Sequence, residues 1–151
     1  MSVAFRRESD DEHKEPEFEL PIPVGPNLVT ARGLEQLAER LAAIDAEVSA
    51  QTDPEALKKL RREQRYWQTQ HATAQLAPPP GPYEVGIGSR VTIRQDGRTR
   101  SLTIVGHDEA DPAASLIVFT APLARAVMGA MAGERVDFAG KNEAVEIVAI
   151  E

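Results

Sequence analysis

Four carboxylates crowd around one turn of this chain: Asp45 and Glu47 approach it, and Asp53 and Glu55 leave it. The chemistry open to such a knot is electrostatic, because it sets fixed anions at the end of whatever element carries it. Just behind it lie Lys58, Lys59, Arg61, Arg62 and Arg65, which taken alone read as a solvated helix face. The run His107-Asp108-Glu109-Ala110-Asp111 has metal-ligand residue types, yet three acids in a loop between strands read first as a solvated turn. His71 has no second His or carboxylate at ligand spacing and reads as a seam or surface residue. There is no Walker-type phosphate loop, no His-Glu-x-x-His and no Gly-x-Ser-x-Gly, and Gly86-x-Gly88 is too short to count. The residues build no self-contained active centre.

The elements that must carry the carboxylates follow from the apolar spacing. Leu34, Leu37, Leu41, Ile44 and Val48 recur at helical intervals, and the series resumes after the turn with Leu57, Leu60 and Trp67. Two helices folded back on each other satisfy that pattern and make a thin rod with a negative end. Thr30 is placed to cap the first helix, and Ala31 to Gln51 would give an arm of roughly 30 Å. Gly33 sits inside its first turn at some cost in helix propensity. Thr52 and Glu55 fit a capping box for the second helix, with Pro54 tolerated in the first turn. Asp53 and Glu55 thereby complement a helix dipole, whereas Asp45 and Glu47 lie near a helix C-terminus, where negative charge is mildly unfavourable. Gln64 and His71 weaken the seam; Trp67 is expected to anchor the base of the rod, with Tyr66 on another face.

Beyond Ala77-Pro78-Pro79-Pro80-Gly81-Pro82, which forbids helix, the pattern changes to alternation. Residues 89 to 106 read as a β-hairpin about Asp96-Gly97, Ser115 to Thr120 as a strand, Val136 and Phe138 as another, and Val145, Ile147 and Ala149 as the last. Pro122 to Met131 reads as one short helix with Gly133 past its end. The predicted class is α+β: an antiparallel helical hairpin followed by a small antiparallel sheet domain with one helix. The predicted organisation is an acidic, disordered tail over residues 1–26, the hairpin over 27–77, a Pro-rich linker over 78–82 and the sheet domain over 83–151.

Composition bounds the partners. The chain has 151 residues, 42% hydrophobic and 27% charged, only 5% aromatic, with no cysteine. A formal net charge of -7 and a sequence pI near 5.0 argue against a generic nucleic-acid coat. The absence of cysteine removes thiolate chemistry and cysteine zinc sites, and no apolar stretch approaches membrane-spanning length. The expected setting is cytoplasmic, without membrane contact, and the expected state is a monomer.

Certain of these residues carry a resemblance. Leu28-Val29-Thr30-Ala31-Arg32-Gly33-Leu34-Glu35-Gln36-Leu37 resembles the opening of the bacterial GreA/GreB transcription elongation factors. The runs Ile104-Val105-Gly106-His107-Asp108-Glu109-Ala110-Asp111, Ala121-Pro122-Leu123-Ala124-Arg125-Ala126-Val127-Met128-Gly129 and Gly133-Glu134 are similar, in order and interval, to three C-terminal elements of that family. The resemblance covers residues 27 to 151.

It implies an FKBP-like C-terminal domain seated on the rim of the RNA polymerase secondary channel, with the hairpin passed down it. The carboxylates at the tip, Asp53 and Glu55 first and Asp45 and Glu47 in reserve, would help hold a magnesium ion at the polymerase's own active centre, within that complex only. Backtracked nascent RNA would be hydrolysed there, so the protein itself is not the enzyme and holds no cofactor of its own. The resemblance assigns polymerase docking to Thr120, Ala121, Pro122, Arg125, Asp108 and Glu109. The chain departs from the family in its shorter hairpin, in the turn sequence Ala50-Gln51-Thr52-Asp53-Pro54-Glu55-Ala56, and in Ala121, where a Ser usually precedes the proline. The alternatives are a Gre-like polymerase regulator resembling Rnk, without cleavage, and an FKBP-like prolyl isomerase or peptide-binding module.

Overall fold

The computed structural model describes residues 18–151, so most of the expected acidic tail lies outside the described residues. From Phe18 to Pro26 the chain has no helix or strand. It then forms β1 (Leu28–Val29), α1 (Ala31–Ala50), α2 (Pro54–Thr73) and β2 (Gln75–Leu76). The two 20-residue helices pair along the spacing read from the sequence, with Leu37 and Ile44 of α1 buried in the seam. Thr30 caps α1 as expected, its hydroxyl accepting from the Gly33 N–H at 3.0 Å.

The cap of α2 differs from the expectation. Asp53, not Thr52, is the N-cap, and its Oδ2 accepts from the Ala56 N–H at 3.1 Å. Gln51 explains the shift, because its Oε1 accepts from the N–H groups of both Thr52 and Asp53 and holds Thr52 outside the helix. Pro54 then opens the helix at a position where an N–H would have had no partner.

At the foot of the hairpin, β1 and β2 pair in parallel, Leu28 opposite Gln75 and Val29 opposite Leu76, a contact the sequence did not suggest. Residues 77 to 82 follow without helix or strand. Pro80 rests on Gly86 and Gly88: a Cβ on Gly86 would lie 3.2 Å from the proline's Cβ. The Gly-x-Gly spacing is therefore a seat for the linker.

The remaining chain forms β3 (Arg90–Gln95), β4 (Arg98–Val105), β5 (Leu116–Val118), α3 (Pro122–Val127), β6 (Arg135–Phe138) and β7 (Lys141–Ile150). These strands make one five-stranded sheet in the order β5-β4-β3-β7-β6. It is antiparallel except at one edge, where β5 runs parallel to β4. Asp96 and Gly97 take positive φ values of 52° and 74°, the two-residue hairpin turn that their types predict. Val91, Ile93, Leu102, Ile104, Val145 and Ile147 fill one face, and Ala124 and Val127 of α3 close over it.

Helix α3 ends at Val127, short of the expected Met131. Backbone pairing with an earlier segment takes over: the Gly129 N–H donates to the Val85 carbonyl at 2.8 Å, and the Val85 N–H to that of Ala130 at 2.9 Å. The acidic run after β4 is solvated mainly at its end, where Ala110 and Asp111 are exposed. His107–Glu109 is a single 3-10 turn, half-buried against the hairpin, and Pro112–Ala114 is another.

Candidate functional site

The structure divides the sequence-selected residues among four places. At the hairpin end, Asp53 and Glu55 lie exposed on the first turn of α2, Asp53 committing Oδ2 to the cap. Asp45 and Glu47 are exposed as well, but Asp45 sits back along the arm, about 9 Å from the turn at ~1.5 Å per residue. Its Oδ1 accepts from Gln64 Nε2 at 2.8 Å, so Gln64, read from the sequence as a weakness of the seam, ties α2 to α1. Among the described residues no group of three or more His, Cys, Asp or Glu could hold a metal ion.

The basic residues follow on α2. Lys58, Arg61 and Arg65 recur at helical spacing and are exposed, as is Lys59, while Arg62 is half-buried. Trp67 is half-buried near the base with the Arg40 guanidinium 4.7 Å from its ring centroid, a cation–π contact across the two helices. The face is thus not uniformly solvated. Arg65 pairs with Glu19 of the segment that precedes the hairpin, Nη2 to Oε1 at 2.6 Å.

Asp108 and Glu109 meet the hairpin's root. Glu109 Oε2 accepts from the N–H groups of Gly106 at 2.9 Å and Thr30 at 3.1 Å, and Oε1 accepts from the Thr30 hydroxyl. A Cβ on Gly33 would lie 2.3 Å from Glu109 Cδ, which accounts for a glycine inside the first turn of a helix. One on Gly106 would lie 2.6 Å from the Leu28 carbonyl oxygen. Asp108 works on the other helix, accepting from the Tyr66 hydroxyl at 2.5 Å and from Gln70 Nε2 at 2.7 Å. Burial first, then the bond to Asp108 and the charge of that carboxylate, push the Tyr66 phenol well above its usual range. Gln70, almost fully buried, was not singled out by the sequence; its spacing after Asp53-capped α2 places it opposite the acidic turn rather than in the seam.

The loop Thr120-Ala121-Pro122 leaves the sheet directly after β5, with Thr120 and Pro122 exposed and Ala121 at the N-cap of α3 without a side-chain cap bond. Arg125 is exposed in its last turn. Phe119 connects this loop to the acidic turn, its ring 5.0 Å from that of His107. This loop and the hairpin root thus share one edge of the sheet.

With this geometry established, residues 80–151 match the family model described as transcription elongation factor GreA/GreB, C-terminal. That match makes the C-terminal domain similar to the GreA/GreB C-terminal domain. Transcription elongation factor GreA of Thermomicrobium roseum is 45% identical over 58 residues, which cover 38% of this chain and 37% of that relative's length. The crystal structure of GreA factor homolog 1 from Thermus thermophilus overlays 84% of this chain and 99% of its own, at 18% identity and a TM-score of 0.39. The GreA/GreB factor from Nitrosomonas europaea overlays 82% of this chain and 97% of its own, at 20% identity and a TM-score of 0.40. The arrangement of this chain rests on its own hydrogen bonds. Among its described residues no helix is long and apolar enough to cross a membrane.

Proposed function

We propose that this protein acts on bacterial RNA polymerase as a Gre-type elongation factor, seating its sheet domain at the secondary channel and sending the hairpin inward. The observation that carries this reading is the joining of a GreA/GreB C-terminal domain to a helical arm whose root is fixed by Asp108 and Glu109 and whose end is acidic. Docking is assigned to Thr120, Ala121, Pro122 and Arg125, the exposed residues of the loop and helix that leave β5. Asp108 and Glu109 contribute by holding the arm at a set angle, since their oxygens already accept bonds from the hairpin. At the far end Asp53 and Glu55 would offer carboxylate oxygen to a magnesium ion belonging to the polymerase, which supplies the Lewis acidity for attack of water on backtracked RNA. The polymerase remains the enzyme, the protein works as a monomer in the cytoplasm, and it meets nascent RNA within that complex.

A second reading keeps the docking and omits cleavage. It is favoured by the short arm, two helices of 20 residues each, and by the engagement of Asp53 in its own helix cap. Proximity effects do not survive gaps of several ångströms, so an arm that stops short modulates elongation by occupying the channel. Co-elution with core polymerase, under conditions where an authentic Gre factor co-elutes, tests both readings, and failure to co-elute rejects both. Incubating a backtracked complex with the protein and magnesium separates them: released short 3′ RNA supports the first, and intact RNA the second.

A further inference from the structure

Residues 18 to 27 run beside the base of α2 and are tied to it at two points. At one end Glu19 grips Arg65 in a two-oxygen fork, with Nε at 3.0 and 2.9 Å and Nη2 at 2.6 Å. At the other, buried Asn27 donates from Nδ2 to the Gln70 carbonyl at 2.9 Å and to the Thr73 hydroxyl at 3.3 Å. We propose that this segment is a releasable acidic strap: Glu19 occupies Arg65 on the basic face of α2 and competes there with the phosphates of single-stranded RNA.

Three observations make the outer end the weak one. The helix rises only about 12 Å between Arg65 and Thr73, while the eight residues from Glu19 to Asn27 can extend to roughly 26 Å. The strap is slack, and Glu19 can leave while Asn27 holds. Its seat is poorly filled, for Ile22, Pro23 and Asn27 of the strap enclose with Gln70, Thr73 and His107 part of a cavity of about 160 Å³. The strap also buries little apolar surface: Phe18 is 73% and Val24 94% exposed. Among the described residues, the fork at Arg65 is what ties down its outer end.

The same fork selects the competitor. A guanidinium that accepts a carboxylate in two-point fashion takes a phosphate in the same way. The hydrogen bond from Arg65, with the charges of Arg65 and then Arg62 behind it, holds the Glu19 carboxyl below its usual range. The inference rests on the proposed function only in expecting the hairpin to meet RNA.

The test needs no polymerase. Binding of a fluorescein-labelled oligouridine RNA to the full chain is followed by anisotropy at low ionic strength, for wild type, Glu19→Gln, Arg65→Gln and the double variant. Glu19→Gln is expected to tighten binding about two- to fivefold, the range set by an exposed ion pair, with the gain shrinking as salt is added. Arg65→Gln is expected to weaken binding and to abolish the gain from Glu19→Gln. Equal binding by wild type and Glu19→Gln, including no binding by either, overturns the strap, as does a gain that persists with Arg65→Gln. An equal gain from Glu134→Gln, which changes net charge by the same amount on the sheet domain, also overturns it. Each of these results leaves polymerase docking standing, whereas a positive result here with no polymerase co-elution rejects the proposed function alone.

Discussion

Glu109 accepts hydrogen bonds from both the backbone N–H and the hydroxyl of Thr30, a residue 79 positions earlier in the chain. The same hydroxyl caps α1 by accepting from Gly33, so one short chain of bonds starts the helix and attaches it to the sheet domain. Glu109→Ala removes the acceptor for three donors. A loss of about 2 to 4 kcal/mol is expected in chemical denaturation, with the bonds to an ionised acceptor supplying most of it.

Gly33→Ala tests the same junction from the other side. Alanine favours a helix interior by up to ~1 kcal/mol over glycine, so on propensity alone it should stabilise. Here its Cβ would land on the Glu109 carboxylate and dislodge it. Destabilisation is expected in the wild-type background and stabilisation in the Glu109→Ala background. The same sign in both backgrounds, measured as a double-mutant cycle, would contradict the junction geometry.

Tyr66 gives the junction an alkaline limit. Its folded phenol titrates higher than an unfolded one, whose pKa is about 10, so its contribution is complete below that value and is lost as pH climbs through the raised folded value. Stability is therefore expected to fall on the alkaline side of pH 10, and Tyr66→Phe should remove that dependence at a cost of about 1 to 2 kcal/mol at neutral pH. Phenolate absorbance alongside circular dichroism reads both.

At the tip, structure and charge can be separated. Asn caps a helix about as well as Asp, so Asp53→Asn should leave the melting temperature nearly unchanged, while Asp53→Ala should cost about 1 kcal/mol. If the tip carboxylate acts in the polymerase, both variants lose RNA cleavage alike. Retained cleavage in Asp53→Asn would assign that role away from this carboxylate.

Ala121 leaves α3 without a side-chain cap. Ala121→Ser should supply one and raise stability by about 0.5 to 1 kcal/mol, read as a melting temperature higher by a few degrees. An unchanged or lowered melting temperature would show that the loop geometry does not admit the cap.

The helices were legible because Leu37 and Ile44 repeat at the spacing of a buried seam, and the β3–β4 hairpin because Asp96-Gly97 admits few other conformations. The cap of α2 was misplaced by one residue: Thr52 and Asp53 are both good caps, and the choice fell to a glutamine side chain that no capping rule includes. Gln70, Asp108 and Glu109 could not be paired by spacing, since polar residues buried at a junction follow no period. Their signal was indirect, in Gly33, a costly residue for a first helical turn whose reason lay across the fold.

The narrow root of the arm has a mechanical result. With the far end roughly 30 Å away, each degree of play at Glu109 and Asp108 sweeps it sideways by about half an ångström. Ten degrees of looseness would span the width of a metal's coordination shell. The aim of the tip is thus decided at the opposite end of the molecule, and substitutions there should misdirect it while leaving every residue of the tip intact.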